Sequence, residues 1–207
     1  GYVGNVTLNT GTVNPGASTG ILRVQGTLNL SAGATCQFEL NGALAGSSYD
    51  QLQINGTVAL NGATLEVLPG FAAPVGSVFL LVANDGSDPI VGTFAGLPQG
   101  AVFQAGGQHF SISYQAGSSG NDIVLTRVNP PPPPAQISQV GLSSPGTIQI
   151  QGFGGSNVSY TVLANTNLAT TNWQSLGLAP ADALGQFFFQ DTNAGVFPQR
   201  FYRLRWP

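Results

Sequence analysis

VQGTLNLSAGAT (residues 24–35) returns as INGTVALNGAT (residues 54–64), and this internal repeat decides the expected fold of the first half of the chain. The two copies share a glycine, a threonine and a leucine, at Gly26 and Gly56, Thr27 and Thr57, and Leu30 and Leu60. When one deletion is allowed, the GAT of the first copy also aligns with the GAT of the second. A fainter copy, NVTLNTGTVNPG, lies near the start of the chain. Repetition at about 30 residues with glycine at the corners predicts a β-solenoid, in which each rung completes its core against the next rung.

Five consecutive prolines, residues 130–134, interrupt the chain after the repeats. Proline has no backbone N–H and a fixed φ, so the run can neither join a sheet nor continue a helix. We therefore expect a polyproline II linker at residues 130–135, between a first domain at residues 1–129 and a second domain at residues 136–207.

Short alternating runs bounded by Gly, Asn, Asp and Pro predict an all-β chain throughout. From Phe71 onward, the runs SVFLLVA, GTFAGL, AVFQA, HFSISY and DIVLTRV suggest a β-sandwich-like cap that closes one end of the rungs. Beyond the prolines, GTIQIQGF, VSYTVLAN, GQFFFQD and QRFYRLRW predict six or seven short strands in a small immunoglobulin- or fibronectin-III-like sandwich. We expect Trp173 and Trp206 to be core anchors of that sandwich.

The chain carries very little charge, because Asp, Glu, Lys and Arg make up only 6% of it, against about 25% in an ordinary globular domain. Lysine is absent, and the net charge is −3. Such a surface offers little like-charge repulsion, so association between copies is expected. The first domain has a net charge of −4, from two arginines and six carboxylates. The second domain has a net charge of +1, from three arginines and two carboxylates, and this difference favours head-to-tail contact. The scattered arginines form no basic stripe, which argues against nucleic acid, and no apolar run is long enough for membrane insertion.

Residues 24–128 resemble the autotransporter-associated β-strand repeat family and its passenger segments, through SSYDQLQINGTVALNGATLEV, NDGSDPIVGTFAGLP and GNDIVLT. That resemblance implies a β-helical scaffold that is secreted and displayed on a bacterial surface, commonly in an adhesin. YTVLANTNLATTNWQSLG and GQFFFQDTNAGVFPQRFYRLRWP resemble a C-terminal domain of large secreted bacterial proteins, which implies extracellular context. A start at Gly1 without methionine further suggests a mature segment whose signal was removed.

No residue pattern predicts catalysis, a cofactor or a metal site. His109 is the only histidine and lies near a predicted strand start, and Cys36 alternates with apolar residues, so a buried thiol is favoured over a reactive one. Glu39 and Glu66 occupy similar places in successive repeats, and we favour a solvated strand face over a glycosidase pair. NDGSDP (residues 84–89) could offer oxygen ligands to Ca²⁺, yet a tight turn explains it better.

Two hypotheses of function remain. The first is a non-enzymatic, secreted bacterial structural protein that self-associates into an extracellular fibre or surface assembly. Its contact would be the first rung, near Gly1, which has no cap, no lysine and no inward charge, and no proline apart from Pro15. The alternative is an adhesin or carbohydrate-binding module, with glycans or a cell surface as partner, in which Tyr160, Trp173 and Tyr202 are exposed for stacking on sugar rings.

Overall fold

The computed structural model describes residues 1–206, and its secondary structure consists of 17 β-strands and one short 3-10 turn, Ala194–Val196. Internal contacts divide the chain into two compact units, Gly1–Pro130 and Pro131–Pro207. The chain is therefore all-β, as expected from its alternating runs. Among residues 1–206, no helix has the length and apolar character needed to cross a membrane.

The first unit contains eleven strands in two sheets. In chain order they are β1 (Tyr2–Val3), β2 (Val6–Val13), β3 (Ile21–Val24), β4 (Leu28–Leu40), β5 (Gln51–Ile54), β6 (Val58–Ala59), β7 (Thr64–Pro69), β8 (Val78–Asn84), β9 (Val102–Ala105), β10 (Gln108–Ala116) and β11 (Asp122–Val128). One sheet has the order β1-β3-β5-β8-β11-β10-β9. The other has β4 between β2 on one side and β6 and β7 on the other.

The two copies of the repeat lie side by side as parallel strands. In the first sheet Val24 is the partner of Ile54, and in the second sheet Leu28 is the partner of Val58. The deletion between the copies is absorbed before β7, where Thr35 is the partner of Thr64. Each copy therefore contributes one strand segment to each sheet, and the fainter first copy does the same through β1 and β2.

The corner glycines are explained by the close approach of successive copies. A Cβ on Gly56 would lie 2.9 Å from the carbonyl carbon and oxygen of Gly26, which is closer than van der Waals contact. A Cβ on Gly26 would lie against the side-chain oxygen of Asn5, which accepts a hydrogen bond from the Thr27 N–H at 2.9 Å. Only glycine leaves room for the neighbouring chain at these two corners.

The strands after Phe71 continue the sheet of the repeats beyond its last rung, and they do not form a pair of sheets of their own. β8 pairs in parallel with β5, and β11, β10 and β9 then follow as antiparallel neighbours in the same sheet. The apolar side chains of β8, β10 and β11 thereby join the same core as the repeats, as Phe79, Phe110 and Leu125 show. GTFAGL is also not a strand, because residues 92–97 form turns around the buried ring of Phe94.

One apolar core fills the first unit. On β4, Cys36, Phe38 and Leu40 are at most 1% exposed, which confirms the alternation expected for TCQFEL. Phe79 lies at the centre of an aromatic cluster, with edge-to-face contacts to Tyr49, Phe71 and Phe110. The favourable burial of these side chains is the main source of stability for a unit with so few charges.

The second unit contains two three-stranded antiparallel sheets, with the orders β12-β13-β16 and β15-β14-β17. Its strands are β12 (Gln136–Ser144), β13 (Thr147–Phe153), β14 (Ser159–Asn165), β15 (Gln174–Pro180), β16 (Gln186–Asp191) and β17 (Phe201–Arg205). The proline run itself is neither strand nor helix. Its Pro133 carbonyl accepts a hydrogen bond from the Tyr160 hydroxyl at 3.1 Å, which ties the run to the core of this unit.

Candidate functional site

The free edge of the first copy of the repeat is the most distinctive surface of the first unit. Within residues 1–206, β1 pairs only with β3, and β2 pairs only with β4. The Val6 N–H donates to the Thr27 carbonyl at 2.8 Å, so the backbone of Val6 faces β4. Backbone groups alternate in direction along a strand, so the N–H and C=O of Thr7 face away from the sheet. By the same reasoning, the Gly1 and Val3 carbonyls accept from β3, so the backbone of Tyr2 points outward.

This edge lacks the charges and prolines that usually protect an open strand, although it is not regular throughout. Its pairing with β4 shifts register between Leu8 and Thr10, and Gly11 has a φ of +95°. β2 reads VTLNTGTV over eight residues, without a charge or a proline, and most of it is exposed. Beside it, Tyr2 is 68% exposed. Natural edge strands are usually short, bulged, or protected by lysine and proline, because unpaired N–H and C=O groups invite another strand. A long uncharged edge can therefore accept a strand from another chain through backbone hydrogen bonds.

Polar side chains form ladders across the stacked strands and reach the same edge. The Asn14 amide donates to Gln37 at 2.9 Å, and the Gln37 amide donates to Glu66 at 2.8 Å. A second row places Thr12 beside Thr35 and Thr35 beside Thr64. These rows give the outer face a regular hydrogen-bonding pattern that ends at Thr12 and Asn14, where a further strand could continue it.

The three residues predicted to stack on sugar rings have different environments. Tyr160 is 1% exposed, and its hydroxyl accepts a hydrogen bond from the Gly155 N–H at 2.6 Å, so the prediction that its ring is exposed is wrong. Alternation in VSYTVLAN places it on the inner face of β14, where it packs against Phe187. Trp173 is half-buried, with the Arg203 guanidinium 4.3 Å from its ring centre. Tyr202 is also half-buried, and its hydroxyl donates to Asp191 at 3.0 Å.

Trp206 is 49% exposed and lies beyond the end of β17, so it is not the core anchor that the sequence suggested. In the second unit, Phe153 and Phe188 lie exposed on a sheet face, at 50% and 56% exposure. Phe153 is the partner of Gln186, and Phe188 is the partner of Gln151, so the two rings are diagonal neighbours on β13 and β16. Sequence reasoning missed this face, because alternation in GTIQIQGF and GQFFFQD does not decide which alternate set of residues faces outward.

An open groove of about 600 Å³ lies along this phenylalanine-glutamine face, defined by Phe153, Phe188, Gln151 and Gln186. Asp182 also lines the groove, but its carboxylate accepts the N–H groups of Leu184 and Gln186 in a turn. Phenyl rings with neighbouring amides can contact apolar and hydroxyl-bearing surfaces of a neutral ligand.

A second cavity, of about 340 Å³, lies beside β12 and is lined by apolar residues together with Arg200 and Tyr202. The Arg200 guanidinium lies 3.1 Å from the Asp191 carboxylate, and both side chains are buried. Burial and the hydrogen bond to Asp191 raise the pKa of Tyr202 to about 12. The guanidinium and the tyrosine hydroxyl therefore both contact the Asp191 carboxylate, although Arg200 Nη1 itself makes no hydrogen bond within residues 1–206, and this cluster suits a structural role at the base of the cavity.

The residues weighed for catalysis or metal binding are dispersed. Among residues 1–206, no group of three or more His, Cys, Asp or Glu side chains is arranged to hold a metal ion. Glu39 is the partner of Leu68, whereas Glu66 is the partner of Gln37. His109 lies at the second position of β10 and is half-buried, as expected.

Cys36 is 1% exposed, and burial raises the pKa of its thiol to about 12. The NDGSDP segment forms the expected turn at Gly86 and Ser87. In that turn, the Asn84 amide donates to the Asp88 carbonyl at 2.9 Å.

Comparisons with protein-family models, with curated proteins and with solved structures gave no match to this chain.

Proposed function

We propose that this chain is a non-enzymatic structural protein whose copies associate through the open edge of β1 and β2. The observation that carries the proposal is the eight-residue, uncharged β2, whose outward N–H and C=O groups have no partner strand within residues 1–206. An exposed strand of this kind gains one set of backbone hydrogen bonds by pairing with another chain.

The composition of the whole surface supports the same proposal. With a net charge of −3 and only 6% charged residues, two copies repel each other weakly as they approach. Contact between this edge and a different surface on the next copy is head-to-tail, and it produces a filament when the rotation between successive copies does not close a ring.

We interpret the stacked parallel strands as a short β-solenoid extended by antiparallel strands, and the second unit as an immunoglobulin-like sandwich. The in-register repeat and the two three-stranded sheets support these interpretations. Together with the resemblance to autotransporter passenger repeats, they favour a secreted bacterial protein that is part of an extracellular fibre or surface layer.

The test removes a single outward backbone donor. Thr7→Pro deletes the N–H that faces away from β4 and leaves the Val6 hydrogen bond to Thr27 intact. Proline is tolerated on an edge strand when its missing N–H faces solvent. The matched control, Thr7→Val, changes the side chain and keeps the donor.

Sedimentation velocity over a concentration series should show wild type and Thr7→Val associating alike. Thr7→Pro should associate about five- to 150-fold more weakly, because the partner is left with an unpaired carbonyl, at a cost of about 1–3 kcal/mol. If the wild-type protein stays monomeric at the highest soluble concentration, or if both variants associate like wild type, the proposal is wrong.

A second candidate function is binding of a neutral glycan, favoured by the exposure of Phe153 and Phe188 on one face. Asp182 is the charged residue that lines the groove, and its carboxylate accepts two backbone N–H groups, so an uncharged polysaccharide suits the groove better than an acidic one. The two phenylalanines are diagonal neighbours, a relation that places their Cα atoms roughly 7–8 Å apart.

A neutral-glycan array probed with Phe188→Ala tests the second candidate. The matched control is Trp206→Ala, which removes a similarly exposed ring away from this face. Loss of binding in Phe188→Ala alone would support glycan binding, and the absence of any binding by wild type would exclude it for the glycans on the array.

A further inference from the structure

A filament needs two different edges on each copy, one for each neighbour. We infer that the second edge is β12, and that β12 of one copy pairs with β2 of the next. This inference rests on the proposed function, and it adds the identity of the partner surface.

Most other edge strands of the first unit are poor partners. β1 has two residues and β9 has four, so each offers a shorter edge than the eight residues of β2. β6 is covered, because the Val91 N–H donates to the Val58 carbonyl at 2.8 Å and the Leu60 N–H donates to the Val91 carbonyl at 2.9 Å. β7 carries Glu66 and ends at Pro69, and both residues disfavour pairing.

In the second unit, three of the four edge strands carry protecting features. β16 ends in Asp191, and β17 contains Arg203 and Arg205. β15 is interrupted by Gly177, whose φ of +146° accompanies a break in its pairing with β14, and it ends at Pro180. Charges, prolines and bulges are the usual means of blocking an edge.

β12 is the longest edge strand without a charge or a proline, at nine residues. Its pairing with β13 is irregular near both ends and regular from Gln139 to Leu142. Within that regular stretch, Val140 is 49% exposed and Leu142 is 76% exposed. Both side chains also line the 340 Å³ cavity, so apolar surface and empty space lie directly beside the free backbone. A docked strand would cover this apolar surface while pairing with the edge.

β2 of a second copy fits this surface in length and in charge. β2 has eight residues against the nine of β12, and neither strand contains a charged residue. The unit that carries β2 has a net charge of −4, and the unit that carries β12 has +1. These opposite signs favour contact between unlike units over contact between like units.

The experiment uses two full-length variants, each blocked at one edge. Thr7→Pro blocks β2, and Leu142→Lys places a charge on the free edge of β12. Leu178→Lys, on β15, is the matched control because Leu178 is also exposed, at 61%. Thermal unfolding of each variant checks that the fold is retained.

Mass photometry and sedimentation should show Thr7→Pro and Leu142→Lys each at least about fivefold weaker in self-association than wild type. Leu178→Lys should assemble like wild type. An equimolar mixture of the two blocked variants should form a one-to-one dimer that grows no further, because only one complementary pair of edges remains.

Three outcomes would overturn the inference. Filaments of Leu142→Lys with wild-type affinity would exclude β12 as the partner edge. A dimer of Leu142→Lys alone would show that β2 pairs with itself, and a mixture that stays monomeric would show that the two edges do not meet. If Thr7→Val and wild type fail to associate at all, the proposed function itself fails, and that result is distinguishable from the first three.

Discussion

The close stacking of the repeat makes Gly56→Ala the most informative single substitution in the first unit. Its new Cβ would lie 2.9 Å from the carbonyl carbon and oxygen of Gly26 and 3.2 Å from the Thr27 nitrogen. Ordinary contacts begin near 3.4 Å, so the two chains must separate by about half an ångström. All three neighbouring atoms belong to the backbone, so no side chain can rotate away. The neighbouring hydrogen bond, from the Leu28 N–H to the Thr57 carbonyl at 2.9 Å, would be strained by the same movement.

Overpacking of this kind costs about 1–3 kcal/mol, and the lower entropy of the unfolded alanine chain offsets about 0.4–1 kcal/mol of it. A net loss of about 1–2 kcal/mol would lower the Tm of a unit of this size by about 4–8 °C. Gly4→Ala is the matched control, because a Cβ there meets nothing within 4 Å and Gly4 has no positive φ.

Calorimetry of both variants should therefore place only Gly56→Ala below wild type. Equal melting temperatures for Gly56→Ala and Gly4→Ala would refute the close stacking of the two copies.

Three further predictions follow from buried polar groups. The thiol of Cys36 is buried, and its pKa is raised to about 12. It should therefore not react with Ellman's reagent at pH 8 until the protein is unfolded. Fast reaction in the native state would contradict its placement. Burial and Asp191 raise the pKa of Tyr202 from 10.0 to about 12, so its contribution to stability is complete below pH 10 and is lost as the pH rises to about 12. Stability of Tyr202→Phe should fall less than that of wild type across this window, and parallel curves would contradict the shift. The Asp50 carboxylate accepts hydrogen bonds from the N–H groups of Gly20 and Glu39 at 2.7 and 2.8 Å. Asp50→Asn should therefore destabilise the first unit by about 1–3 kcal/mol in urea unfolding. An unchanged midpoint of urea unfolding would contradict these bonds.

The sequence carried enough information to predict the all-β class and the alignment of the repeat. Matching Gly26 to Gly56 and GAT to GAT was sufficient because glycines at the corners and apolar residues between them report the contacts between neighbouring strands. Alternation also located the buried face of β4 correctly, since period two is a property of each strand by itself.

Sequence patterns did not reveal which sheet the later strands join. Alternating strands such as DIVLTRV pair equally well with an old sheet or a new one, and the choice depends on long-range contacts with β8. The exposure of aromatic residues was similarly hidden, because Tyr160 and Phe188 both occupy alternating strands. Only the pairing of β13 with β16 determines that Phe188 faces outward beside Gln151.

The most direct test of the association edge is hydrogen exchange at the Thr7 amide, measured at low and at high protein concentration. In the dilute protein, the Val6 amide should be protected by its bond to Thr27, and the Thr7 amide should exchange rapidly. On association, the Thr7 amide should become protected as it donates to a strand of another copy. Rapid exchange at Thr7 in fully associated protein would contradict pairing through this edge.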